Sequence, residues 1–199
     1  ESDNDADGSL LTPVTAPVFS NVTALGPLAV TSTLPAGTMH EKALHLRRGT
    51  MTSVYNSVFA GFPQGLSIDG QKGNSPTRAD LNELQIENTI LAGMTVNYIE
   101  KTGTVATPYT VDQHIAWFQA VSRHNADNLS LADVIGTSLV SLTSPSLLPA
   151  AGSALLSGAS FTSTRLTDTF FTPVAFRGAF GTENWTSGWC NWNPQTTAY

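Results

Sequence analysis

The sequence predicts an all-β protein: a right-handed parallel β-helix, that is a solenoid, with an α-helical and aromatic C-terminal cap. Three observations point there. First, the 199-residue chain carries 12% charged residues and 41% hydrophobic ones. An average domain has about 25% charged residues, so Ser, Thr, Asn, Gly and Pro take the place of half the usual charge. Second, short β-rich runs alternate with turn clusters from Val18 onward. Third, three of these runs superimpose: Ser20–Gly26, Tyr55–Gly61 and Glu87–Gly93 each read Asn-x-x-x-x-Gly around apolar residues. From Asn21 to Asn56 is 35 residues and from Asn56 to Asn88 is 32, and a period in this range marks a solenoid. One such run cannot bury its apolar face alone, whereas stacked copies form a continuous core.

Taken in order, 1–16 is an acidic segment, 17–102 holds the β-helix coils, 103–144 is a helical insertion or cover, and 145–199 is a last coil and C-terminal cap. Within the coils, Asn21, Asn56 and Asn88 are expected to stack as an amide ladder, as identical side chains do in cross-β assemblies. Ala43–Arg48 and Gly65–Gly70 alternate apolar and polar residues as half-buried strands do. Leu84–Glu87 leads into the third repeat, and Gln71–Ala79 reads as a projecting loop. Thr110–Arg123 reads as a helix, with Thr110 as N-cap and Asp112 in the first turn. Its apolar stripe is Ile115, Phe118 and Val121, with Trp117, and its task is to cover strand edges that an open solenoid exposes. Leu129–Leu139 predicts a short helical turn, and Leu147–Pro149 with Ala154–Leu156 an irregular last coil. Phe170 to Tyr199 is aromatic-rich and reads as a packed terminal cap.

Composition also limits function. The formal net charge is −6, which argues against a nucleic-acid partner, since that needs a basic stripe. The longest weakly charged stretch, Leu129–Ser160, is broken by Asp133 and two prolines, so it does not make the run of about 20 apolar residues that a spanning helix needs. Cys190 is the single cysteine, with no basic neighbour to activate it, and reads as a small apolar residue between Trp189 and Trp192. No nucleophile-elbow, phosphate-loop, dinucleotide or zinc-protease spacing occurs.

Three groups of residues remain as candidate sites. Asp3, Asp5 and Asp7, followed by Gly8, match the first half of a calcium loop. Val14 stands where the closing bidentate Glu belongs, so a complete EF-hand is rejected and a simpler Ca2+ turn is the expectation. Asp69, Asp80, Glu83 and Glu87 with Arg47, Arg48 and Arg78 hold the carboxylates and cations that polysaccharide-cleaving chemistry needs, and Asp69 closes a strand at a coil corner. Trp185, Trp189 and Trp192 are candidates for stacking on sugar rings, against the plainer role of cap packing. The four histidines are scattered: His45 is expected to face out of its strand and His114 to lie on the surface.

The sequence also resembles a family of secreted or surface proteins of Bacteroidetes-type bacteria. The resemblance is carried by Leu46–Thr50, Asn56–Gly70 and Ala150–Ala159, and most specifically by Pro173–Gly181, Asn184–Trp192 and Pro194-Gln195. It spans about Asp5 to Tyr199. It implies a right-handed parallel β-helix at the outer cell surface or secreted, with further coils before this region, so that an N-terminal portion of the precursor is missing. It brings no catalytic motif. The expected function is therefore a non-catalytic structural or adhesive β-helix protein, whose partners are surface polysaccharide or other copies of itself. The alternatives are a carbohydrate-binding or polysaccharide-degrading protein and an accessory subunit of an outer-membrane complex.

Overall fold

The computed structural model describes residues 1–198. Three successive coils each contribute three short strands. The first holds β1 (Val18–Ser20), β2 (Thr23–Leu25) and β3 (Lys42–Arg47), and the second β4 (Ser53–Tyr55), β5 (Val58–Ala60) and β6 (Gln64–Asp69). The third holds β7 (Gln85–Glu87), β8 (Ile90–Ala92) and β9 (Val96–Tyr98). Equivalent strands pair in parallel, giving sheets β1-β4-β7, β2-β5-β8 and β3-β6-β9. This is the stacking of a parallel β-helix. Ser2 extends the third sheet through a parallel bridge to Leu46.

The register is set at one corner. Asn21, Asn56 and Asn88 follow β1, β4 and β7, and all three have φ between 51° and 57°. This is the left-handed region, which Asn tolerates better than most residues. The same conformation recurs at His124, φ 53°, 36 residues after Asn88. Beyond it β10 (Ala126–Leu129) pairs with β8. A partial fourth coil therefore exists that the Asn-Gly pattern does not show, because His124 stands where Asn stood and no Gly follows.

The expected amide ladder forms differently. The Asn amides do not bond one another. Those of Asn21 and Asn56 turn outward to the C-terminal segment: Asn56 Oδ1 accepts from Ser160 N–H (2.8 Å), and Asn21 Nδ2 donates to Phe176 O (2.8 Å). The ladder sits one residue later. Val22 N–H donates to Ser57 Oγ (3.0 Å), Ser57 N–H to Thr89 Oγ1 (3.4 Å), and Thr89 N–H to Asn125 Oδ1 (2.8 Å). A side-chain oxygen from the next coil thus meets each N–H that the corner turns away from the backbone ladder, as a buried donor requires.

Inside the stack lie Leu44, Leu46, Val54, Phe59, Leu66, Ile68, Leu84, Ile86 and Leu91. Val58, Ala60, Ile90 and Ala92, which alternate with Phe59 and Leu91, form a second core outside the sheet. It is covered by Leu131, Val134 and Ile135 of α3 (Leu131–Ile135), with Val140 and Leu155. Burial on both faces explains the unbroken apolar runs of β5 and β8. Gly61, φ 70°, turns the chain after β5, and a Cβ there would stand 2.5 Å from Ala29 N.

Three helical expectations need adjustment. The 71–79 loop contains α1 (Ser75–Asp80), with Pro76 in its first turn. The 110–123 helix is α2 (Val111–Phe118), started by a Thr110–Gln113 capping box and followed by a 3-10 turn at Val121–Arg123. Trp117 and Phe118 join the interior core, so α2 covers the stack beside the last coil. His114 is fully buried, contrary to its expected surface place. Its Nε2 accepts from Ile68 N–H (2.9 Å) while Nδ1 lies 2.8 Å from Thr110 O.

No strand follows Leu129 among the described residues, so 145–199 adds no further strand to the sheets. The segment is a strap along the side of the stack. Arg177 N–H donates to Leu155 O and Gly178 N–H to Asn56 O, both at 2.7 Å. Arg165 donates to Ser53 Oγ, and Ser163 Oγ to Tyr55 Oη at 3.1 Å. Phe180 is buried, but Trp185, Trp189 and Trp192 are exposed and Cys190 is half-buried.

Ser57→Ala leaves the Val22 N–H without its acceptor. It is expected to lower the unfolding free energy by about 1–3 kcal/mol in urea titrations, while Ser57→Thr, which keeps the oxygen, retains most of it.

Candidate functional site

A cluster of ionisable residues lies on the outward face of the third sheet. Leu44 and Leu46 of β3 and Leu66 and Ile68 of β6 point inward, so His45, Arg47, Ser67 and Asp69 point out. Pairing places Arg47 opposite Asp69. The Ser2 bridge is closed by Ser2 N–H to His45 O (2.8 Å) and Arg47 N–H to Ser2 O (3.0 Å), which brings Glu1 and Asp3 onto the same outward face.

These groups close on one another. Asp69 is 2% exposed. Its Oδ2 lies 3.0 Å from His45 Nε2, and Oδ1 accepts from Gln71 N–H at 2.7 Å. His45 Nδ1 lies 3.2 Å from Glu1 Oε2. Neutral imidazole has one N–H, so only the imidazolium donates to both carboxylates. Arg47 reaches Glu1 (3.2 Å) and Asp3 (3.1 Å), and Arg48 reaches Asp3 (2.8 Å). Burial pushes the Asp69 carboxyl up, but the His45 and Gln71 hydrogen bonds and the His45 and Lys101 charges outweigh it. The carboxyl therefore lies below its ordinary value. A cavity of about 70 Å³ opens beside it, lined by Arg47, Arg48, Asp69, Gln71 and Lys72.

The structure thus places Asp69 beside Arg47 and Arg48 around one small cavity, with its hydrogen bonds going to His45 and Gln71, and separates the other acid–base candidates. Arg78 pairs with Glu83, Asp80 accepts from Tyr109 Oη (3.1 Å), and Glu87 lies 3.9 Å from Arg123. Sequence reading missed His45 and Glu1 as partners in this cluster. The signal was the offset of 22 residues between Leu44 and Leu66, which aligns β3 with β6 once both strands are superimposed.

The three aspartates of the expected calcium turn have separate partners. Asp3 is held by Arg47 and Arg48, Asp5 Oδ1 accepts from Asp7 N–H (2.9 Å), and Asp7 lies 3.7 Å from Lys72. Among the described residues, no group of three or more His, Cys, Asp or Glu side chains is placed to hold a metal ion.

Trp185 and Trp189 form a column with Phe180, and Trp192 has no stacking neighbour among the described residues. Phe180 and Trp185 stack with centroids 5.4 Å apart, and Trp185 and Trp189 at 5.7 Å. Trp185 therefore has two stacking neighbours, while Trp189, 67% exposed, has one. Both indole N–H groups are engaged, donating to Ala179 O and Trp185 O.

Residues 1–134 match the family model described as a pectate-lyase-like beta-helix domain. The chain belongs to that family. The match ends within α3, so this pectate-lyase-like domain comprises the coils and their cover, and the strap lies outside it. No curated protein and no solved structure matches the chain. No helix among the described residues is long and apolar enough to cross a membrane.

A carboxyl below its ordinary value stabilises the fold fully above the unfolded value, near about pH 4, and less as pH falls through the folded one. The stability difference between wild type and Asp69→Asn is therefore expected to be largest above about pH 4 and to shrink below it, as urea unfolding across pH will show. Thermal unfolding in calcium and in chelator is expected to coincide.

Proposed function

We propose that this chain is a non-catalytic structural and adhesive module of an extracellular, surface-located bacterial β-helix protein. The location rests on the family, whose domains are usually extracellular. The observation that carries the non-catalytic reading is the mutual closure of the third sheet's ionisable groups. A general acid or base must reach the proton it transfers. Both ring nitrogens of His45 face carboxylates, Asp69 is sealed by His45 and Gln71, and Asp3 is spanned by two arginines. Each group offers its charge to a neighbouring strand, and such pairs serve stacking. The Trp185–Trp189 column adds an exposed aromatic surface for adhesion, with the outer ring of Trp189 as its most accessible face.

The test is incubation of the full chain with polygalacturonate, alginate, xylan and mannan. Ultraviolet absorbance of unsaturated ends and a reducing-end assay report cleavage. No product above the buffer control is expected. Accumulation of either product would overturn the reading.

A further inference from the structure

We infer that the C-terminal strap is a detachable cover, which lifts off the outward face of the first sheet as one unit while the coils stay folded. The inference goes beyond the surface-module reading and does not depend on it. The stack carries two covers, and their floors differ. Under α3 the floor is apolar: Val58, Ala60, Ile90 and Ala92 meet Leu131, Val134 and Ile135. Under the strap the floor is polar. Ser53, Tyr55 and Asn56 are each 0% exposed, and the strap reaches them by hydrogen bonds. Asn56 Oδ1 accepts from Ser160 N–H (2.8 Å), Asn56 Nδ2 donates to Ser160 O (2.9 Å), and Gly178 N–H donates to Asn56 O (2.7 Å). Ala179 N–H donates to Thr23 Oγ1 (2.8 Å), and the Arg165 guanidinium donates to Ser53 Oγ and to Asn82 O. Leu166 and Phe180 are the strap's buried large apolar side chains, and neither belongs to the two apolar clusters of the stack.

The two floors set different costs of opening. Lifting α3 returns apolar surface to water, which is the main term that holds a fold together. Lifting the strap exposes hydroxyls, amides and backbone groups that water serves nearly as well, so the net loss per bond is small. Segments with few buried apolar contacts open at lower free energy than the core they lie on. The hinge is placed accordingly. Leu155 is anchored in the cluster beneath α3, and the exposed pair Ser157-Gly158 follows it, with Gly158 at φ 82°. The family domain ends at residue 134, so the strap is an addition laid on the coils. With the strap in place Ser53, Tyr55 and Asn56 are sealed. With it lifted they form a polar surface on the outward side of β4, and the stack beneath is unchanged.

The test is residue-resolved amide exchange of the 15N-labelled full chain. The strap amides of Ser160, Arg177, Gly178 and Ala179 are expected to exchange about a hundredfold faster than the coil amides of Val58 and Ile90. Arg165→Met removes the bonds to Ser53 and Asn82 but touches none of those four amides. It is expected to speed all four alike, by roughly tenfold, and to leave Val58 and Ile90 unchanged. Ser163→Ala, which loses the bond to Tyr55 Oη, is expected to give the same pattern with a smaller factor. Equal protection of strap and coil amides, no acceleration in either variant, acceleration confined to the neighbours of the substituted residue, or acceleration of Val58 and Ile90 by the same factor would each overturn the detachable cover.

Discussion

The whole stack depends on one corner. After the first strand of each coil the backbone enters the left-handed region, at Asn21, Asn56, Asn88 and His124. That turn rotates the next N–H out of the regular ladder, and a buried donor cannot stay unpaired. Ser57, Thr89 and Asn125 supply the missing oxygen from the coil that follows. Each bond holds only if adjacent coils are in register, so the corner couples local conformation to stacking. The same asparagines then hold the strap, since Asn21 and Asn56 spend their amides on Phe176, Gly178 and Ser160. The first two coils and the C-terminal segment are thereby organised around one repeated residue.

Stacking also governs where charge is allowed. Side chains at one position of successive coils lie about 4.8 Å apart, and like charges there are destabilising. The third sheet meets this by alternation: Asp3, Arg47 and Asp69 follow one another across three adjacent strands, with Glu1 and His45 beside them. Charge is tolerated when its sign reverses at each step. The low charge content is thus a consequence of coil stacking, and the third sheet carries its charges where alternation is achieved.

This explains which features were legible in the sequence. The coils were, because Asn-x-x-x-x-Gly and alternating apolar residues record the corner and the pleat. The fourth coil was not, because His124 satisfies the same backbone requirement with a different side chain. The amide ladder was assigned one position early: Asn reports the conformation, while the ladder needs only an oxygen, and Ser57, Thr89 and Asn125 share no residue type. The strap misled most. Its aromatic content suggested a packed cap, yet much of its hold comes from its backbone groups meeting Asn21, Asn56 and Thr23, and such bonds leave little signature in the strap's own side chains. His114 was misplaced for a related reason: its burial follows from accepting the Ile68 N–H, a partner distant in sequence.

Two buried aspartates show how position in the stack decides chemistry. Asp69 lies in the middle coil, with Arg47 on the strand before it and His45 diagonally across, and both its oxygens are occupied. Asp127 lies on the terminal strand of its sheet, where neighbouring groups approach from within the stack only. Tyr98 and Gln119 therefore fill one oxygen, and the side on which a further coil would have laid its strand is open. Inside the solenoid, Asp69 is consumed by the strand before it and by its own turn. At the end of the stack, Asp127 has only one oxygen bonded to protein groups.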